Sequence, residues 1–400
     1  MTRKNTTVEG DPDCTEVLED DSRSIILDII AQLRKGKDLH RVALPTFVLE
    51  PRSMLERITD FMSHPDLIQA ANAYTDPLDR FIGVVQYFLS GWHIKPKGVK
   101  KPYNPVLGEF FRCQWNYDNG TKAIYIAEQV SHHPPMSAYY YASPDNGLVI
   151  QGNLRPKPKF LGNSAATIMD GTSHITLTRW NNETYHVTMP NVYARGILFG
   201  KMVMELGDSC TVRCPTNGYI CELDFKTKGF FTGSYNAVIG KIKHEPTGKV
   251  LREISGTWSN EMFISKPKAS QKTSLFDVKS SKILPPFIQP ELQQELNESR
   301  RLWSKVTLGI KQNNMDLATD AKLEVEERQR ADTRQREDRG LVFEPRFFAL
   351  DEKDGEYKIK LQGDSLEHLE TFVFPLSNDT SKKSPDEVLP DIPSSTIVSA

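Results

Sequence analysis

Apolar and polar positions recur along this chain with two different periods, and the change of period divides it. Between 24 and 34, Ile25, Ile26, Ile29, Ile30 and Leu33 return at helical spacing, and Gly36 follows Arg34 and Lys35 where a helix stop is expected. The spacing predicts a short amphipathic helix, read either as a core-packing helix or as a movable lid over an apolar opening. Residues 44–50 predict an extended apolar segment, and 53–62 and 77–89 predict helices. In the second, Phe81, Val84, Val85, Phe88 and Leu89 share a face, and Pro77 suits a first-turn position.

From Trp92 to about Trp258 the pattern is that of strands. Short runs rich in Val, Ile, Thr, Tyr and Phe alternate with Gly, Asn and Asp turns, at 123–127, 137–142, 148–154, 174–178, 185–189, 219–225 and 250–257. Strands this short and this frequent predict an antiparallel meander closing into a barrel. After Thr257 they thin out. Residues 266–290, rich in Lys, Ser and Pro, predict a long surface connection; 291–309 and 318–339 predict helices; 341–375 predict a last strand or two. There is no internal repeat.

Composition adds polar ends to this folded middle. Apolar residues are 38% of the 400 and charged residues 26%, which is polar for a globular chain. Residues 1–21 hold Glu9, Asp11, Asp13, Glu16, Glu19, Asp20 and Asp21 against Arg3 and Lys4, and such a run predicts a disordered acidic tail. Residues 376–400, rich in Ser, Pro, Asp and Lys, predict another. The formal net charge is -2, from 50 basic and 52 acidic residues. That balance gives no general attraction to nucleic acid or to anionic membrane, so a phosphate-bearing ligand requires a local cluster of donors. No stretch reaches the roughly 20 apolar residues of a membrane span, and no apolar secretory core follows Met1. A cytosolic protein that meets membranes from outside is expected. Cys14, Cys113, Cys210, Cys214 and Cys221 are an odd count without a fourth ligand near the Cys210–Cys214 pair, and read as reduced strand cysteines.

Three segments carry candidate chemistry. In Glu128-Gln129-Val130-Ser131-His132-His133-Pro134-Pro135, paired histidines precede paired prolines, and the prolines stiffen the backbone that presents the rings. Both rings reach one ligand only if the strand bends or ends there. A metal site would take Glu128 as third ligand but lacks an H-E-x-x-H frame. A catalytic histidine would need a nucleophile, and no G-x-S-x-G or catalytic-Cys signature is present. The third reading is anion recognition through ring N–H groups. In Lys100-Lys101-Pro102-Tyr103-Asn104-Pro105-Val106-Leu107-Gly108-Glu109, a cation and an amide are set among prolines. Lys322, Glu326 and Arg330, four apart, fall along one helical face, read either as solvated ion pairs or as phosphate ligands oriented by the carboxylate.

Taken together the segments resemble the oxysterol-binding-protein-related lipid-transfer family. Glu128 to Pro135 matches its signature octapeptide, and Lys101 to Glu109 its motif Lys-Pro-x-Asn-Pro-x-x-Gly-Glu. Phe160-Leu161-Gly162-Asn163-Ser164, Asn191-Val192-Tyr193, Gly196-Ile197-Leu198-Phe199-Gly200 and Glu253-Ile254-Ser255-Gly256 match as well, so the likeness covers about residues 24–348. The resemblance implies a mainly β fold with α: a large incomplete antiparallel β-barrel around an apolar lipid tunnel, with an N-terminal lid helix and C-terminal helices. The expected organisation is a tail over 1–21, a lid and tunnel-mouth segment over 22–50, the barrel domain with helical additions over 51–375, and a tail over 376–400. The implied phosphoinositide headgroup ligands are Lys101, Asn104, His132, His133, Lys322, Glu326 and Arg330. No catalytic residue, metal or cofactor is implied.

Residues 44–50 with Ser53-Met54-Leu55-Glu56-Arg57 look like the short fungal members that exchange phosphatidylserine for phosphatidylinositol 4-phosphate. In that branch Val42, Leu44, Lys101 and Asn104 would line the tunnel near the serine lipid; Pro158 stands where it can have a serine. Sterol is the alternative second ligand, and a phosphoinositide sensor without net transfer the alternative function. The resemblance further implies transient peripheral contact with membranes, a cytoplasmic protein at endoplasmic reticulum–plasma membrane contact sites, and a protein tether at the endoplasmic reticulum.

Overall fold

The computed structural model describes residues 15–16, 46–197, 201–228 and 233–375. The predicted 24–34 helix, Val42, Leu44, residues 376–400 and all of the acidic tail except 15–16 lie outside them. Those two residues form a short strand, β1 (Thr15–Glu16), paired antiparallel with Val203 and Met202. Ladder hydrogen bonds use the backbone and are indifferent to acidic side chains, so a pairing here is compatible with the acidic composition of the segment.

The first layer is helical. β2 (Leu49–Ser53) leads into α1 (Met54–Arg57) and a 3-10 turn to Met62, followed by α2 (Pro65–Ala73) and α3 (Pro77–Ser90). α3 starts where proline and a capping carboxylate coincide: Asp76 accepts from the Leu78 and Asp79 amides at 2.8 and 3.0 Å. Phe81, Val84, Val85, Phe88 and Leu89 are fully buried, as the spacing predicts. Arg80 on the same helix forms two 2.8 Å bonds to the buried Glu183 carboxylate and lies 4.0 Å from the Trp180 ring, which locks α3 to the strands.

The strands are β3 (Lys101–Tyr103), β4 (Phe110–Asn116), β5 (Lys122–His132), β6 (Pro135–Ser143), β7 (Leu148–Phe160), β8 (Ser164–Asp170), β9 (Ser173–Leu177), β10 (Glu183–Val187) and β11 (Asn191–Arg195). β12 (Met202–Cys214), β13 (Tyr219–Lys226), β14 (Ala237–His244), β15 (Lys249–Thr257), β16 (Glu261–Ser265) and β17 (Thr273–Asp277) follow. Fifteen of the described strands form one sheet, whose main path runs β17-β16-β15-β14-β13-β12-β10-β9-β7-β6-β5-β4. Every pairing in it is antiparallel, the pairing that short turns allow. Two long strands serve two leaves at once. β7 pairs β9 through 148–152 and β8 through 155–160, and β12 pairs β11 first and β13 afterwards. Among the described residues β4 and β17, at the two ends of the path, do not pair with each other, so the barrel is incomplete. α3 packs against β17 and β13.

The C-terminal third departs most from the sequence pattern. The 266–290 connection contains β17. The single helix expected over 291–309 is a 3-10 turn at Glu291–Gln293, then α4 (Ser299–Leu302) and α5 (Ser304–Lys311). It breaks because polar partners elsewhere capture its residues: Glu298 binds Arg112 at 3.1 Å, and the Trp303 indole donates to Glu109. The predicted 318–339 helix is α6 (Met315–Asp338). The expected last strands are β18 (Phe348–Asp351) and β19 (Glu356–Ile359), and a further helix, α7 (Leu366–Val373), covers β5. The extended segment expected at 44–50 is, where described, a 3-10 turn at Thr46–Val48 before β2; the Thr46 hydroxyl lies 3.1 Å from that of Thr319.

His64 and His93 share a 2.9 Å contact between Nε2 atoms beside Phe276. Burial, then His64, lowers the His93 pKa to about 4, and burial lowers that of His64. Folded values below the unfolded one mean that the unfolded chain takes up more protons between them. This contribution to stability is therefore complete above about pH 6.5 and is lost as pH falls toward 4. Melting temperatures recorded across that window are expected to fall less steeply for His93→Gln than for the natural chain.

Candidate functional site

The Lys101–Glu109 segment is anchored on its apolar side. β3 runs parallel to β2, with Leu49 opposite Lys101 and Ser53 opposite Tyr103. Tyr103 and Val106 are buried with Leu49, Leu302, Trp303, Val306 and Ala321. The Tyr103 ring stacks on Trp303 at 4.9 Å, and its hydroxyl lies 2.9 Å from that of Thr307. Lys101 and Asn104, on either side of the anchored Tyr103, are exposed.

Glu109 closes the segment and is the hub beneath it. It is fully buried, and its carboxylate accepts from the Ser53 hydroxyl at 2.5 Å, the Ser299 hydroxyl at 2.7 Å, the Trp303 indole at 2.9 Å and the Val106 amide at 3.1 Å. Burial pushes its pKa above the ordinary carboxylate value, against the pull of those four donors. Through them one side chain joins β2, the Lys101–Glu109 loop and α4.

The second motif is a bracket carrying a tip. Glu128, offered by the sequence as a third metal ligand, is buried and accepts from the Arg346 and Phe347 amides at 2.7 and 2.8 Å. Gln129 accepts from the Ser137 hydroxyl at 2.6 Å and donates to the Ser131 carbonyl at 2.8 Å. The register between β5 and β6 then shifts by one between Gln129 and Ser131, a bulge that re-aims the residues beyond it. β5 ends at His132, which pairs with Pro135 around His133 and Pro134; the His133–Pro134 peptide is cis. The strand thus bends and ends where the sequence required, and the two rings lie 4.7 Å apart at 72°. Among the described residues no group of three or more His, Cys, Asp or Glu is arranged to hold a metal ion.

The two motifs meet at their bases, where the Gly108 amide donates to the Gln129 carbonyl at 3.0 Å and the Gln129 amide to Glu109 at 2.8 Å. Gly108 has φ 76°, and a Cβ there would lie 3.2 Å from the Phe343 ring, so glycine is what lets the two chains cross under that ring.

α6 brings the third segment. Asn314 caps it at the Leu317 amide, Ala318 and Ala321 are buried, and Val325 packs on the Tyr103–Trp303 cluster. Small residues on that face let the helix lie close to the Lys101 segment. Lys322 is 15% exposed and Arg330 56%, and both reach Glu326, at 2.7 and 3.3 Å. The ion-pair ladder and the shared face anticipated from the spacing are therefore the same feature. Lys101 touches solvent, yet protein crowds round it. Burial first and the Lys322 charge second lower its pKa. The fold thus holds two ammonium groups close enough to repel, one of them already paired to Glu326.

Sequence reasoning nominated Lys101, Asn104, His132, His133, Lys322, Glu326 and Arg330, and the structure brings the Lys101 and Lys322 segments together around the Tyr103–Trp303 cluster. It missed Ser53, Ser299 and Trp303 as the partners of Glu109, and the bond from Glu128 to the 346–347 backbone. The octapeptide and Lys-Pro motifs contained both carboxylates, but nothing local marked them as brackets.

The sequence model of the oxysterol-binding protein family matches residues 28–370. Oxysterol-binding protein-like protein OBPalpha of Candida albicans is 47% identical over 348 residues, 86% of this chain and 81% of the relative. Oxysterol-binding protein homolog 7 of Saccharomyces cerevisiae is 45% identical over 333 residues, 82% of this chain and 76% of the relative. Among solved structures, the Osh1 ORD domain in complex with cholesterol superposes with TM-score 0.69 at 22% identity, covering 92% of both chains. The Osh3 ORD in complex with PI(4)P, from Saccharomyces cerevisiae, gives 0.65 at 22% identity, covering 86% of this chain and 92% of that one.

Proposed function

The chain belongs to the oxysterol-binding protein family of lipid-binding and lipid-transfer proteins, and from that membership we propose that it exchanges phosphatidylserine for phosphatidylinositol 4-phosphate between membranes. The observation that carries the phosphoinositide half is the pair Lys101 and Lys322. Two like charges that repel each other make a poor resting arrangement that a multiply charged phosphate relieves, since opposite charge favours both ammonium groups. Asn104, His132 and His133 add donors beside them, and Arg330 brings a planar guanidinium suited to phosphate oxygens. Glu326 orients Lys322 and Arg330. The Osh3 ORD has been solved in complex with PI(4)P, which supports the same headgroup here.

The apolar part of the ligand needs burial that matches what it leaves, roughly 0.8 kcal/mol for each CH₂. The concave interior of the sheet is the place for it. No described helix is long and apolar enough to cross a membrane. The proposal is one of binding and transfer, without covalent chemistry.

Phosphatidylserine as the counter-ligand rests on the likeness of 44–57 to the short fungal exchangers. Sterol is the second reading, favoured by one observation: Pro158 sits within β7 opposite Thr167 and offers neither hydroxyl nor amide to a serine headgroup. Mass spectrometry of lipids that co-purify with the chain separates the two. Phosphatidylserine together with phosphatidylinositol 4-phosphate is expected; ergosterol with no phosphatidylserine would contradict the assignment.

A further inference from the structure

Two aliphatic side chains stand exposed together just past the end of α6, Leu341 at 58% and Val342 at 88%. Their position is fixed by the helix stop. Gly340 has φ 63° and donates to the Glu337 carbonyl at 2.9 Å, while the Leu341 amide donates to Arg336 at 2.9 Å. In such a stop the residue at the Leu341 position ordinarily packs back on the last helical turn. Here that turn offers Gln335 and Arg336, and Leu341 stays in solvent.

The next residue ties the pair to the site. The Phe343 ring covers Gly108, and Gly108 bonds Gln129 at the base of the histidine hairpin. The last turns of α6 are locally basic, whereas the helix as a whole is acidic. From 328 to 339 the helix carries Arg328, Arg330, Arg334, Arg336 and Arg339 against Asp332, Glu337 and Asp338, in a chain whose net charge is -2. Among the described residues Arg328, Arg334 and Arg339 are exposed and form no ion pair, whereas Arg330 is held by Glu326. The helix dipole explains arginines near a C-terminus. It does not explain two exposed aliphatic residues beside them.

We propose that Leu341 and Val342, flanked by Arg334 and Arg339, are the edge on which the protein docks on an anionic bilayer. The aliphatic pair enters the acyl boundary and the guanidinium groups stay among the headgroup phosphates, their stems lying along the apolar surface. Docking there places the base of both headgroup motifs against the membrane. The inference rests on the lipid-transfer reading and adds the surface that meets the lipid source.

The test is co-sedimentation of the full chain with phosphatidylcholine vesicles with and without phosphatidylserine. Each arginine near an anionic surface is worth about 1 kcal/mol, or roughly fivefold in affinity. Arg334→Gln with Arg339→Gln is expected to weaken association with phosphatidylserine vesicles by at least about tenfold, with the difference disappearing at high salt. Leu341→Ser with Val342→Ser is expected to weaken it by a similar factor at any salt. Binding of a water-soluble short-chain phosphatidylinositol 4-phosphate, which needs no docking, is expected to be unchanged in both variants. Vesicle association unchanged in both overturns the proposal and leaves the patch to an acidic protein partner. Loss of soluble-lipid binding in the variants also overturns it, because the patch would then be part of the headgroup site. A natural chain that binds vesicles but not the soluble lipid would strike the functional reading instead and leave the docking edge standing.

Discussion

Replacing His132 and His133 together by alanine is expected to lower extraction of phosphatidylinositol 4-phosphate from liposomes by about a hundredfold and to leave the melting temperature unchanged. Hydrogen bonds to charged groups are worth about 1.5–3 kcal/mol each. Two lost from one phosphate, less the side-chain entropy recovered, come to nearly 3 kcal/mol, and each 1.4 kcal/mol is tenfold. The fold is spared because the rings sit at the tip of the β5–β6 turn. What holds the turn is the Glu128 and Gln129 carboxylate and amide below it, with their bonds to Arg346, Phe347 and Ser137. Extraction at the natural level in the double variant would remove both histidines from the headgroup site.

The second large effect lies one layer deeper. Glu109→Ala is expected to destabilise the chain by about 3–5 kcal/mol, the range found when one partner of a buried polar network is removed. It strands the Ser53 and Ser299 hydroxyls, the Trp303 indole and the Val106 amide in a site without water access. Glu109→Gln keeps the shape and one good acceptor but turns an NH₂ toward donors, and is expected to cost less than half as much. Function should fall with stability. Trp303 supports Tyr103 on one side, and α6 rests on the same cluster through Ala321 and Val325, so loosening Glu109 lets Lys322 drift from Lys101. Chemical denaturation reads the first effect and lipid extraction the second. A Glu109→Ala chain as stable as the natural one would show that the four donors find other partners.

What could be read from the sequence was local. The meander showed itself because each strand is a short β-rich run bounded by its own turn residues, and α3 because its apolar face and Pro77 lie within one segment. The histidine pair was visible because the prolines beside it restrict the same stretch of backbone, and Lys322–Arg330 because four-residue spacing is a property of one helix. The interruption of 291–309 was not visible. It is caused by Arg112 and Glu109, 186 and 194 residues away from the side chains they capture. The bulge at Gln129–Ser131 is likewise a matter of what β6 presents opposite. Glu128 looked like chemistry and Glu109 carried no reading of its own; both are buried brackets whose donors lie far along the chain, Ser299 190 residues from Glu109 and Arg346 218 from Glu128. The docking edge was hidden for the opposite reason, since an exposed Leu-Val pair in a sequence looks like any other apolar pair until its burial is known.

The central claim is exchange of two lipids through one site, and a two-vesicle assay tests it most directly. Donor vesicles carry phosphatidylserine, acceptor vesicles carry or lack phosphatidylinositol 4-phosphate, and transfer of both lipids is followed in time. The account predicts that phosphatidylserine transfer speeds up when the acceptor holds the phosphoinositide, that the two lipids move in opposite directions in comparable amounts, and that the His132, His133 double variant loses the acceleration. Tight binding of phosphatidylinositol 4-phosphate with no net movement of either lipid would contradict it.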